Sequence, residues 1–203
     1  LKRLRRTEEF QRMVRTIQGE GDPRVPETAI IGDVKMDARA LKMMLGRALE
    51  RDVDKIVMMG DIFGKSRGRS LGGGSPLAVY DILREFEKNF KGRLVYLYGP
   101  DDMVFLFTMM GYPGLDNAWY SNYGGKEFLE ARNKEIRHYN QEERRQKGEE
   151  AELLPEIDLH SFRDDSRLKE VAEWIRQRIY IYHLDEFGIL YVNGSLPGAS
   201  EGR

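Results

Sequence analysis

The chain of 203 residues contains no cysteine, which removes disulfide frameworks, thiolate metal sites and cysteine nucleophiles together. That absence fits a reducing cytosol and an organelle interior equally, so it chooses no compartment. Long apolar runs are missing too. None approaches the roughly 18 residues of a membrane span, which points to a soluble chain with no membrane partner. Histidine is scarce, at three, and His138, His160 and His183 fall in segments that read as helix, loop and strand, where surface or core roles suffice. Charge of one sign is also lacking: a net charge of -1 gives no global attraction to nucleic acid or membrane.

What is present is a globular balance, with 40% hydrophobic and 33% charged residues. At this length a single core buries about 70% of the unfolded chain's surface, and one domain is the simplest count. Residues 1–27 read as a basic N-terminal extension. Its first sixteen, LKRLRRTEEFQRMVRT, place Leu4, Phe10, Met13 and Val14, with Ile17 just beyond, at loosely helical spacing. A solvated or partner-docking helix is the main reading; RNA contact and a targeting remnant are the others. Glu8 and Glu9 weaken a transit peptide, so cytoplasm and mitochondrion both stay open.

Pro23 and Pro26 bracket a turn before a short apolar strand at 28–31. Residues 38–50 then carry Leu41, Met44, Leu45, Ala48 and Leu49 on one helical face, and KIVMM at 55–59 is a second strand. Strand, helix and strand in about thirty residues predict a right-handed parallel crossover. The glycine-rich stretch 66–75 reads as a loop; Gly72 to Gly74 lack the lysine and spacing of a phosphate-binding loop. Ser75 is an N-cap with Pro76 at the first helical position, and Leu77, Tyr80, Leu83, Phe86 and Phe90 form the buried face. RLVYLYG ending at Gly99 is a third strand. Residues 103–110 are apolar and helical, 112–125 aromatic and glycine-rich, 126–152 a charged helical run, and 167–178 amphipathic. IYIYHL and GILYVNG read as a hairpin through 185–188, with Tyr96, Tyr98, Tyr180, Tyr182 and Tyr191 packing on the strands.

The class is therefore α/β, and ligands of such sheets bind outside the carboxyl ends of the strands. Asp33, Asp61, Asp101, Asp102 and Asn193 all follow strand ends and are expected to converge, and converging carboxylates commonly hold metal ions. On its own residues, Lys35 is either a partner for those carboxylates or an exposed loop lysine. Asp101 and Asp102 read as a turn pair after Pro100, with a rearranged metal site as the minor alternative.

The order of GDVKMDARALKMML, KIVMMGDIFGKSRG, RLVYLYGPDDMVFL, WYSNYGG and ILYVNGSLPG resembles the calcineurin-like metallophosphoesterases, in the phage-type and diadenosine-tetraphosphatase-like branch near the Ser/Thr protein phosphatases. The resemblance covers roughly residues 28–198. It implies a sandwich of two mixed β-sheets flanked by helices, lacking its C-terminal part, with a charged helical insertion at about 126–165 and a tail at 199–203. It also implies a degenerate site. Asp33 and Asp61 match the family's first metal ligand and its bridging ligand, and Arg67 with Gly68 can stand for its Arg-Gly. Lys35, however, replaces a histidine ligand, Pro100 an asparagine ligand, Asp101 the catalytic histidine and Asn193 another histidine ligand.

An ammonium has no lone pair for a metal, and at about 4 Å from a cation it is repelled by about 4 kcal/mol per unit charge at an effective dielectric near 20. Beside Asp33 and Asp61 the same charge is favourable, so Lys35 is expected to occupy the vacated metal position. The resemblance thus implies a pseudophosphatase with no cofactor, serving as an interaction module in a larger protein or ribonucleoprotein assembly. The vestigial pocket comprises Asp33, Lys35, Asp61, Arg67, Asp101, Asp102 and Asn193. An active phosphoesterase with altered ligands, using Mn, Mg or Fe/Zn on phosphate monoesters or dinucleoside polyphosphates, is the rival. A phosphate sensor gripping an anion with Lys35 and Arg67 is a third reading.

Overall fold

A computed structural model of the chain describes residues 27–64, 75–180, 182–186 and 188–192. Residues 1–26 of the basic extension, the glycine-rich loop with Arg67 and Gly68, Asn193 and the tail at 199–203 lie outside the described residues. The protein is a mixed α/β fold. Four parallel strands, β1 (Thr28–Ile31), β2 (Lys55–Met58), β3 (Arg93–Leu97) and β4 (Ile179–Tyr180), lie side by side in the order β1-β2-β3-β4. Ile30 is in register with Val57, and Val57 with Val95.

Helix α1 (Ala38–Glu50) makes the first crossover, started by Asp37, whose side chain accepts the Ala40 N–H at 2.9 Å. Helix α2 (Pro76–Asn89) makes the second; Ser75 caps it as expected, accepting the Ala78 N–H at 3.3 Å. Four helices, α3 (Pro100–Met109), α4 (Leu115–Asn122), α5 (Gly125–Lys147) and α6 (Ser166–Arg178), fill the long connection from β3 to β4. Because the strand order advances in one direction and parallel crossovers are right-handed, the helices gather on one face. Ile31, Ile56, Met58 and Tyr96 point into that layer against Leu41, Leu83, Trp174 and Ile175. Within it Phe63, Phe105 and Phe128 pack as an aromatic group, with Phe105 and Phe128 stacked at 4.5 Å between centroids. Among the described residues, the opposite face, Val57, Val95 and Leu97, meets only Tyr191 as a buried apolar partner.

Tyr191 belongs to a two-stranded antiparallel ribbon, β5 (Tyr182–Leu184) and β6 (Leu190–Val192). The hairpin expected over 179–194 is thereby corrected. Ile179 and Tyr180 join the main sheet beside β3, with the Tyr98 N–H donating to the Tyr180 carbonyl at 2.7 Å. Only the residues after them turn away to pair with β6. Consequently Tyr96 and Tyr191 are buried, whereas Tyr180 and Tyr182 are exposed. Leu49, expected on the buried face of α1, is also exposed.

The charged run becomes α5, whose buried large apolar side chains are Phe128, Leu129 and Ile136. Its other attachment is polar. Asn133 exchanges two hydrogen bonds with the backbone of Ile157, and Asn140 does the same with Leu154, all at 2.8–2.9 Å. Two turns of helix rise about 11 Å, close to the ~10 Å spanned by three extended residues, so asparagines seven apart reach peptide groups three apart. Replacing Asn133 by alanine is expected to remove both inner bonds and cost about 1–2 kcal/mol, read as a lower denaturation midpoint at unchanged m-value. No helix among the described residues is long and apolar enough to cross a membrane.

Candidate functional site: a lysine held between two strand-end aspartates

The loops that follow β1, β2 and β3 meet at the carboxyl edge of the sheet. After Ile31 the chain turns through Lys35 and Met36, with φ of 48° and 63°; after β2 it turns through Gly60 and Asp61, with φ of 90° and 50°. Left-handed backbone costs a non-glycine residue about 1 kcal/mol, and here two loops hold it in place for each other. The Lys35 N–H donates to the Asp61 carbonyl at 3.0 Å and the Met36 N–H to the Ile62 carbonyl at 3.0 Å. Between these polar residues Val34, Met36, Ile62 and Phe63 are driven into the core, so apolar anchors set the loop and leave the charged side chains at its mouth.

The Lys35 ammonium donates to Asp61 Oδ2 and to Asp101 Oδ2, each at 2.8 Å. Its side chain is 26% exposed, those of Asp61 and Asp101 only 13% and 12%. Desolvation opposes the charge on Lys35, but the hydrogen bonds and charges of Asp101 and Asp61 outweigh it and raise its pKa above the ordinary 10.5. Asp61 Oδ1 is also satisfied, accepting the Asp101 N–H at 3.1 Å. Two glycines permit this closeness. A Cβ on Gly64 would lie 1.6 Å from Asp101 Oδ2, and one on Gly99 2.1 Å from the Asp61 nitrogen.

Asp102, with no accessible surface, ties the loops from beneath. Its Oδ1 accepts the N–H groups of Ile62 and Phe63 at 3.0 and 2.9 Å, and its Oδ2 that of Gly99 at 3.2 Å. Burial pushes its carboxyl up to about 7 against the pull of these three donors.

Lys35, Asp61, Asp101 and Asp102 thus come together as expected, but two roles differ. Lys35 is paired with Asp61 and Asp101, whereas Asp33 is exposed and is in none of the ion pairs of the described residues. Asp33 precedes the left-handed turn that swings Lys35 toward β2 and β3. Asp101 and Asp102 do not form an isolated turn; they open α3, where Pro100 at the first position favours the helix and acids suit its N-terminus. The signal for Asp102 was in the sequence: Gly99-Pro100-Asp101-Asp102 before an apolar run carries an acid three residues after the cap, half of a capping box. His138 and His160 are exposed, and His183 lies in the ribbon. No protein-family model matches the sequence, and no curated protein does so either.

A protonated amine, which has no lone pair to give a metal, stands between Asp61 Oδ2 and Asp101 Oδ2. What the arrangement does chemically is neutralise two partly buried carboxylates and clamp three loops.

Proposed function

We propose that this chain is a degenerate relative of the calcineurin-like metallophosphoesterases, a pseudophosphatase retained as a structural or interaction module of a larger protein or ribonucleoprotein assembly. The observation that carries the reading is Lys35, whose ammonium lies 2.8 Å from both Asp61 and Asp101. In two-metal phosphoesterases, cations about 3.5–4 Å apart activate water and neutralise the transition state. Here a tethered cation neutralises the carboxylates but offers no coordination site for water or phosphate oxygen. The finer fold belongs to this proposal as well: a sandwich of two mixed sheets, with the ribbon as part of the second and the helical 126–165 region as the insertion.

Metal analysis of the purified protein, with a phosphatase assay supplemented with manganese, tests the reading. The expected result is substoichiometric metal and no turnover. Stoichiometric metal with turnover abolished by Asp61→Ala would instead establish an active phosphoesterase. Restoring the family histidine alone, as Lys35→His, is expected to give no activity, because Pro100, Asp101 and Asn193 are unchanged; measurable hydrolysis by that variant would sink the pseudoenzyme reading.

A further inference from the structure

The one-directional strand order has a price on the other side of the sheet. A parallel sheet ordinarily has both faces covered, yet among the described residues the helices occupy one face and the other carries only a two-stranded ribbon. Such a ribbon is marginal by itself. His183 and Tyr191 turn inward, where they stack on each other at 5.9 Å, and Tyr191 donates to Asp185 Oδ2 at 3.0 Å. A buried Lys55 holds the turn from below through Glu186 at 2.9 Å.

By the alternation of the strands, Tyr182, Leu184 and Leu190 point outward. They are 60%, 59% and 43% exposed, beside an exposed Ile189 in the turn, and Ile30 and Tyr180 are exposed on the two border strands of the sheet. The two tyrosines among them carry roughly 150–250 Å² each when whole, and with the four aliphatic side chains about half exposed this side presents several hundred Å² of apolar surface. That is on the order of the ~800 Å² that each partner contributes to a standard interface. The patch also carries both signs of charge at its sheet-bottom rim, with exposed Arg93 and half-exposed Glu186.

We propose that the outer face of the β5–β6 ribbon forms an interface with a second copy of this chain. A two-fold contact sets the same patch against itself, and this patch suits that arrangement: the apolar side chains of one ribbon face meet those of the other, and Arg93 of one copy faces the exposed side of Glu186 of the other. This use of the ribbon is independent of the state of the Lys35 pocket.

Sedimentation velocity of the whole chain from about 1 to about 100 μM tests it, the range in which interfaces of this size are populated. The expected result is a species of twice 23.6 kDa whose dissociation constant rises at least about tenfold in Leu184→Glu. Tyr182→Glu, at the other end of β5, gives a second reading should that variant fail to fold. Because the chain has no cysteine, Leu190→Cys also supplies a single thiol, expected to cross-link copy to copy with a short bis-maleimide. A monomer throughout the range, including one that captures a different protein on this face, overturns the proposal. So does a dimer that both charged variants leave intact.

Discussion

Replacing Asp102 by alanine is expected to lower stability by about 3–6 kcal/mol, enough to leave much of the protein unfolded at 37 °C. The carboxylate accepts the N–H groups of Ile62, Phe63 and Gly99. Each buried donor left without a partner costs about 1–3 kcal/mol. Asparagine is the informative companion. It keeps the shape but turns an amide N–H toward at least one of the three donors, so it should fall between wild type and alanine.

The pH dependence separates this mechanism from simple loss of packing. Burial raises the folded-state carboxyl from 3.8 to about 7, so between those values the folded protein holds a proton that the unfolded chain has released. Stability from this group is therefore fully present below about pH 4 and is lost as pH rises through 7. Chemical denaturation of wild type and Asp102→Asn at pH 5 and pH 8 checks the sign. The difference between the two proteins should be larger at pH 5; an equal difference would remove the buried carboxyl as its source.

Much of the fold was legible because its local signals and its topology agree. The strands at 28–31, 55–58 and 93–97 are short apolar runs that each lead to a glycine, and Asp37, Ser75 and Pro76 start helices where their chemistry places them. The convergence of Asp61 and Asp101 followed from parallel strands alone. Three things were not legible. Which aspartate Lys35 reaches depends on two successive left-handed residues, Lys35 and Met36, neither of which is glycine; the Asp37 N–H closing on the Val34 carbonyl and the hydrogen bonds to the partner loop hold that turn. Division of 179–184 between two sheets is a long-range outcome, invisible in a continuous β-prone run. The attachment of α5 rests on Asn133 and Asn140, whose partners are backbone groups at Ile157 and Leu154, so no side-chain pattern announces it.

Removing the Lys35 charge, as Lys35→Ala, is expected to cost about 2–3 kcal/mol and to lower the melting temperature accordingly. Breaking a buried ion pair by deleting one partner costs about 3–5 kcal/mol; the pocket is only partly buried, so the lower end applies. Two carboxylates would then face each other without a cation, each about seven-eighths shielded from water. Alkali should mimic the mutation, with the sign set by the raised pKa of Lys35. Its contribution is fully present below pH 10.5 and is lost as pH climbs through the higher folded-state value, so wild type should approach the variant only in strong alkali. Divalent metal gives a second measurement. With the ammonium gone, Asp61 and Asp101 offer two oxygens to a hard cation, and millimolar manganese is expected to recover part of the lost stability in Lys35→Ala while leaving wild type unmoved. An unchanged melting temperature in the variant would show that the lysine does not hold this edge of the sheet together. Equal stabilisation of both proteins by manganese would show that the cation binds somewhere other than the position Lys35 fills.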